Sequence, residues 1–308
     1  YHNKPWDSHD EEIYFKEDIN SPQMYSFIRE HKDDYHCFIF IPYMYGQTYN
    51  GSRECPEKAL LIPCLHDESY AYMGLVKNCI EGFKGVIFLA KPEADLANRL
   101  YNLHSIKTAV LGAGIDSDWI DQCDPERFRK KYTIHDDFIL YAGRKDEGKK
   151  IDELVNFFKE YKSVRSFSTL KLVLIGGGEM AVDPSWRNEI IDLGFVSPED
   201  KHDAFSAASI FCNPSRFESF SIVIMESWLA KRPVIVSGHC AVTTQFCRET
   251  NGGFSYLNFY EFEEYVDRLL ANPDMAAAMG KNGFEYVMRH FTHKAIAEKY
   301  LRFIEDVV

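Results

Sequence analysis

The sequence predicts an α/β protein built on parallel sheets covered by helices, and three observations predict it. From about residue 35 onwards, short β-rich runs alternate with longer helical patterns. Each run ends in Gly, Pro or Ser and feeds a helix, as ligand-binding α/β sheets do at their carboxyl edge. The 308 residues, 45% of them apolar, supply enough core for two domains.

A first series of strands reads CFIFI (37–41), KALLIP (58–63), GVIFLA (85–90) and TAVLG (108–112). Pro92 to Tyr101 is a helix between the last two, because Pro92 suits a first turn and Leu96 and Leu100 are spaced i, i+4. The second series opens with DFILYAG (137–143), a helix over 151–162, LKLVLIGGG (170–178), a helix near 199–208 and ASIFCNPS (208–215). A helix over 221–230, RPVIVS (232–237) and helices through 261–271 and 274–289 complete it. Between the series, GAGIDSDWIDQCDPERFRKKYTIHDD (112–137) is rich in charge and turn residues, which sets a domain boundary near residue 120. Residues 1–34 read as irregular, and no repeat or low-complexity tract is evident.

Lys and Arg total 35 against 47 Asp and Glu, a formal charge of −12, which argues against a large nucleic-acid footprint. No run approaches the ~18–20 apolar residues of a membrane span, and the N-terminus has no apolar h-region. A soluble, cytoplasmic chain is expected, with peripheral contact to a membrane surface left open. Eight cysteines (37, 55, 64, 79, 123, 212, 240 and 247) form no C-x-x-C pair and several sit in apolar runs, so reduced core thiols are expected rather than a zinc ribbon or disulfides.

The most informative segment is PSRFESFSIVIMESWLAKRPVIVS (214–237). Its helix is apolar nearly all round and therefore buried, yet it contains Glu226, a carboxylate that is expensive to desolvate alone. Glu218 lies just before the helix, whose leading N–H groups at Ser219, Phe220 and Ser221 can bind an anion. At a rise of ~1.5 Å per residue the two carboxylates stand roughly 12 Å apart, a spacing that brackets a diphosphate with a sugar on either side. The alternative is structural: Glu218 caps the helix and Glu226 makes a core salt bridge. In FILYAGRKDEGKKIDELVNFF (138–158) a strand delivers Gly143 and Arg144 into a loop, and Lys149 and Lys150 stand at the next helix start. Cations there oppose the macrodipole unless an anion is shared with that end, and Arg and Lys both suit diphosphate oxygens. A solvated basic loop is the alternative.

GRKDEGKKIDEL, LVLIGGGEM, LGFVSPEDKHDAFSAASIFCNPSRFESFSIVIMESWLAKRPVIVS and NGGFSY, in that order, resemble the nucleotide-sugar domain of family-4 retaining glycosyltransferases with the GT-B fold, over about residues 137–300. The resemblance implies two Rossmann-like domains with a nucleotide-sugar cleft between them: an N-terminal domain over 1–120 on the acceptor side, a nucleotide-sugar domain over 121–290, and a C-terminal helix within 291–308, carried by HKAIAEKYLRFIEDVV (293–308), crossing back to the first. Arg144 and Lys149 match the pair that holds the donor diphosphate, beside Gly143. Glu218 matches the residue that contacts the donor sugar, and Glu226 the one that contacts the ribose. One departure is Ser219-Phe220-Ser221, where the family often has Gly-Phe-Gly, which puts close backbone approach to phosphate in question.

KALLIPCLHDESYAYM (58–73) presents His66, Asp67 and Glu68 at a strand end. The resemblance makes His66 the contact to the donor sugar from the opposite wall; its local alternative is to shield a helix capped by Asp67 or Ser69. Adjacent residues rarely converge on one ion, so no metal is expected here. Gly176-Gly177-Gly178 reads as a strand-end turn, because no G-x-G-x-x-G follows. His290 and His293 read as a helix-end pair, and Tyr43, Tyr45 and Tyr49 as either rings for a sugar acceptor or packing.

The activity implied is retaining, metal-independent hexosyl transfer, of the kind used in polysaccharide biosynthesis, from a nucleoside-diphosphate sugar to a saccharide, lipid-linked or other hydroxyl acceptor. The donor is a substrate, and no resident cofactor is expected. The catalytic set is His66, Arg144, Lys149 and Glu218; Gly143, Ser219, Phe220, Ser221 and Glu226 complete donor binding. The other readings are a catalytically silent glycosyltransferase-like subunit that scaffolds an assembly, and a GT-B nucleotide-sugar epimerase or sugar phosphorylase. The first series spans only ~120 residues and lacks an opening strand with a Gly-rich loop, so an N-terminal domain incomplete at its start is expected. Base, sugar, acceptor and oligomeric state are not legible.

Overall fold

A computed structural model describes residues 7–178, 180 and 182–308. Residues 1–6 and Glu179 of the LVLIGGGEM stretch lie outside these. Two compact units make up the chain: one runs up to Ala113 and takes in Lys294–Val308, the other is Gly114–His293. The divide precedes residue 120 because Ile115 already belongs to the second unit. Its N–H donates to the Phe291 carbonyl at 2.7 Å, and it bridges Thr292.

The first unit contains α1 (Ser8–Glu17), α2 (Pro22–His31), β1 (Phe38–Phe40), α3 (Gly46–Ser52), β2 (Ala59–Leu61), α4 (Gly74–Ile80), β3 (Gly85–Phe88), α5 (Lys91–Leu100) and β4 (Lys107–Val110). The four strands lie parallel in the order β1-β2-β3-β4. The expectation of irregular structure over residues 1–34 is corrected by α1 and α2. Asp7 caps α1 and Pro22 opens α2, but each helix buries too few residues to show a period. In α1 these are Phe15 and Glu11, whose carboxylate accepts the N–H groups of Gly74 and Leu75 at 2.9 and 2.7 Å at the head of α4. The last helix, numbered α13 below, closes on this sheet at Gly85, where any Cβ would stand 3.1 Å from Val307 and 3.2 Å from Phe303.

The second unit contains α6 (Pro125–Tyr132), β5 (Phe138–Ala142), α7 (Ile151–Val164), β6 (Lys171–Ile175), β7 (Ile190–Asp192), α8 (Pro198–Ala207), β8 (Ile210–Asn213), α9 (Ile222–Leu229), β9 (Val234–Ser237), α10 (Ala241–Thr250), β10 (Gly253–Tyr256), α11 (Phe259–Ala271) and α12 (Pro273–His290); α13 (His293–Val307) follows. Its sheet is parallel in the order β10-β9-β8-β5-β6-β7. Helices cover both faces of such a sheet, so β5, β8 and β9 are buried along their whole length. From β5 the chain winds outward through β6 and β7; it then returns to the other side of β5 and winds away through β8, β9 and β10. The strand order therefore reverses between β5 and β8, and the crevice outside the carboxyl ends at such a switch point is where open α/β sheets bind ligands.

Candidate functional site

The two segments that sequence reading singles out leave the sheet from adjacent strands, β5 and β8, on either side of this switch point. Gly143 and Arg144 follow β5; a short turn over Glu147–Lys149 precedes α7. Asp146 caps that turn by accepting the Lys149 N–H, and Lys150 takes a left-handed φ of 53° at the head of α7. The Arg144 side chain is largely exposed, with Nε 3.4 Å from Asp146 Oδ2. Lys149 is more enclosed, and its Nζ lies 2.8 Å from Glu218 Oε1. Fold topology thus brings together two residues 69 positions apart.

Glu218 does not cap α9. Its Oε1 takes Lys149 and, at 3.3 Å, the amide Nδ2 of Asn213. Ser221 is the residue that precedes α9, at φ 68° and ψ 76°, the left-handed conformation that glycine adopts without strain. The departure from Gly-Phe-Gly is therefore accommodated by a serine in the glycine conformation. Among the described residues no acceptor in the protein pairs with the N–H groups of Ser219, Phe220 and Ser221.

Glu226 is 8% exposed inside α9, and its carboxylate receives Lys201 Nζ from α8 at 2.6 Å. Burial pushes the Glu226 carboxyl up, and Lys201 offsets part of that push. The core ion pair open at the sequence level is thus formed.

Sequence reading missed three residues that hold this site. Lys145 has no exposed side-chain surface; its Nζ lies 2.6 Å from the Gly176 carbonyl and 2.9 Å from Asp192 Oδ1, tying together the ends of β5, β6 and β7. Gly176 is in turn forced: at φ 120°, a Cβ there would stand 2.1 Å from the Gly143 carbonyl oxygen. Gly176 and Gly178 therefore pack backbone on backbone against the Arg144 loop, at Gly143 and Lys145. Asn213 and Lys201 are the other two. Asn213 closes the apolar run of β8 and Lys201 sits among the charged residues of α8, so neither stood out by its surroundings, and their partners lie on other elements.

In the first unit, His66 follows β2, with Nδ1 3.6 Å from Glu68 Oε1, which also accepts the Tyr43 hydroxyl at 3.1 Å. The segment is held by Glu93, 2% exposed, which accepts the N–H groups of Leu65 at 2.7 Å and Leu89 at 2.6 Å. Burial outweighs these donors and pushes the Glu93 carboxyl up to about 7. Tyr43 and Tyr49 are packing residues: Tyr43 is 2% exposed and Tyr49 stacks on Phe15 at 4.5 Å. No disulfide joins any of the eight cysteines, and no helix among the described residues is long and apolar enough to cross a membrane. Among the described residues no cluster of His, Cys, Asp or Glu is arranged to hold a metal ion.

A family model described as glycosyl transferases group 1 matches residues 124–286, which contain the whole of the β5 and β8 constellation. The chain belongs to this family. This group 1 transferase is similar to an uncharacterized glycosyltransferase of Methanocaldococcus jannaschii, 26% identical over 233 residues, with 70% of this chain and 56% of that protein covered. It is also similar to the D-inositol 3-phosphate glycosyltransferase of Stackebrandtia nassauensis, 24% identical over 234 residues, covering 70% of this chain and 52% of that one. The matched region is about half the length of these curated relatives. Among solved structures, sucrose-phosphate synthase from Thermosynechococcus elongatus superposes with a TM-score of 0.74 at 19% identity, covering 92% of this chain and 77% of that one. Anabaena HepE in complex with UDP superposes at 0.76 and 13% identity, covering 93% and 82%. The group 1 transferase has the GT-B fold.

Proposed function

We propose that this group 1 transferase binds a nucleoside-diphosphate sugar at the β5/β8 crevice and transfers the glycosyl group, with retention and without a metal ion, to a saccharide, lipid-linked or other hydroxyl acceptor. The observation that supports the reading is the meeting of Lys149 and Glu218 from the loops after the adjacent strands β5 and β8, at a topological switch point, with Arg144 in the first loop and the amides of Ser219 to Ser221 in the second. Two cations and the loop amides of Ser219 to Ser221 just ahead of α9 match a diphosphate. The partly buried carboxylates of Glu218 and Glu226 match sugar and ribose hydroxyls. The complex of the similar HepE structure with UDP supports the donor class.

In the transfer, the bond from the anomeric carbon to the diphosphate oxygen breaks as the acceptor oxygen bonds to the same face of that carbon, and the acceptor proton passes to the departing diphosphate. Negative charge grows on the diphosphate at this step. Preorganised cations and amides that interact more strongly with that charge than with the ground state lower the barrier. Arg144, Lys149 and the amides of Ser219 to Ser221 take that part. Glu218 orients the sugar and Glu226 the ribose, with Lys201 sharing the Glu226 carboxylate. The resemblance gives His66 a further sugar contact.

A panel of UDP, GDP and ADP sugars tests the reading by thermal shift and calorimetry in the presence of a chelator. At least one donor raises the melting temperature of the wild type, and Arg144→Ala weakens that donor's binding. With an acceptor, the product's anomeric NMR coupling matches that of the donor. A protein that no donor stabilises overturns the donor reading, and an epimerised sugar formed without acceptor overturns transfer.

A further inference from the structure

Ser221 combines three properties that sit badly together. It is 5% exposed, it holds a left-handed backbone at φ 68°, and it stands at the head of α9 without using its hydroxyl to cap the helix. A non-glycine residue in that conformation is strained by contact of its Cβ with the backbone, and it stays there only when its surroundings hold it. What holds it here is Asn213. That side chain is 3% exposed at the carboxyl end of β8, and its Nδ2 donates to Ser221 Oγ at 2.9 Å. The same Nδ2 lies 3.3 Å from Glu218 Oε1, and Oδ1 accepts the Ser215 N–H at 3.1 Å. One buried amide therefore engages both ends of the loop between β8 and α9, and the carboxylate between them.

We propose that Asn213 is a positioning residue of the donor site. Its hydrogen bond to Ser221 locks the serine in the glycine-like conformation that aims the leading amides of α9 into the crevice, and its contact with Glu218 fixes the carboxylate that receives Lys149. This inference rests on the donor reading given above. It assigns the left-handed turn to a pair of side chains rather than to a glycine, so the turn depends on Asn213 only while residue 221 carries a side chain.

That dependence is testable by a cycle of Asn213→Ala, Ser221→Gly and the double variant, using calorimetry with UDP, GDP and ADP and with the glucose ester of each. With serine at 221, Asn213→Ala weakens the nucleotide that binds the wild type by about tenfold, the scale of one hydrogen bond lost from a preorganised site. With glycine at 221, the same substitution weakens it by less than about threefold, because glycine holds the turn unaided. The glucose ester does not recover in the double variant, since Glu218 still lacks its amide partner. A residue acting only through overall stability would not produce this split between nucleotide and nucleotide sugar. Equal losses in the two backgrounds, or none in either, overturn the proposal. If Asn213→Ala does not accumulate as folded protein, Asn213→Leu serves in its place, since it keeps the branched shape of the side chain, adds no charge beside Glu218 and lacks the donor. A wild type that binds none of the six probes overturns the donor reading instead. The melting temperatures of the same four proteins then decide the coupling: a drop for Asn213→Ala that glycine at 221 does not diminish overturns it.

Discussion

At the scale of single residues, the site is a set of charges whose environments differ. Arg144 is open to water, whereas Lys149 is enclosed against Glu218. Removing Arg144 therefore subtracts one charge-assisted hydrogen bond to the diphosphate, and Arg144→Ala is expected to weaken nucleotide binding by about 1.5–3 kcal/mol. Lys149→Ala goes further, because Glu218 is left facing the diphosphate with only Asn213 as a partner; its loss should exceed that of Arg144→Ala in the same titration. A smaller effect would show that the exposed arginine, not the enclosed lysine, carries the anion. Glu93 behaves differently, since its role is in the folded state itself. Its carboxyl is raised from the usual 4.5 to about 7, so between those values the folded chain keeps a proton that the unfolded chain has released. The contribution of Glu93 to stability is fully present below the usual carboxylate range and is lost as pH rises through about 7. Urea unfolding across that window should show a falling stability in the wild type, and Glu93→Gln should flatten the slope.

At the scale of elements, the loops after β5, β6 and β8 form one device. The β6 loop is a backbone surface on which the Arg144 loop rests, pinned by Lys145. Gly176→Ala places a methyl group 2.1 Å from the Gly143 carbonyl at a φ of 120°, so it should lower stability by about 2 kcal/mol or more and disturb nucleotide binding as well. Lys145→Met removes the cation from the Gly176 carbonyl and leaves Asp192 with the Gly194 N–H alone, and should destabilise by about 3 kcal/mol, read from denaturant midpoints. These elements also show what a sequence can reveal. Apolar runs bounded by turn residues made β1 to β6, β8 and β9 legible within a few residues, even though β1 is partly and β4 largely open on the surface. Two were not: β7 is the three residues Ile190–Asp192 at a sheet edge, and β10 opens on Gly253. The helices α1 and α2 were missed because their stability comes from remote contacts, such as Glu11 with the head of α4. In the site, Arg144, Lys149, Glu218 and Glu226 stood out by type and spacing. Asn213, Lys145 and Lys201 did not, because each draws its meaning from a partner on another element, and one chain gives no sign of which partner that is.

At the scale of the whole molecule, the acidic balance and the anionic ligand are reconciled locally. A chain of net charge −12 repels a diphosphate at long range, and binding rests on a few cations and amides at the end of one sheet. Each unit also carries its own core, one around Leu61, Val86 and Phe88 and the other around Ile139, Leu174 and Ile210. The chain leaves the first unit at Ala113 and returns to it with Lys294–Val308, so the first unit is stabilised by the most distant part of the sequence. The return is anchored by Phe303, 6% exposed against Gly85, by the Tyr300 hydroxyl donating to the Gly112 carbonyl at 2.9 Å, and by Lys107 with Asp306 at 2.7 Å. The surface ion pair contributes little, at most about 1 kcal/mol, whereas truncating a buried phenylalanine removes about 3–5 kcal/mol. Phe303→Ala should therefore loosen the first unit while the second keeps its fold. Hydrogen exchange reads this directly: amides of β2 and β3 should exchange faster in the variant, while those of β5, β6 and β8 hold the wild-type rate. Nucleotide affinity should persist, because every proposed diphosphate ligand lies in Gly114–His293. Faster exchange spread evenly over both units would mean that the two cores unfold as one, and the division of labour between them would have to be abandoned.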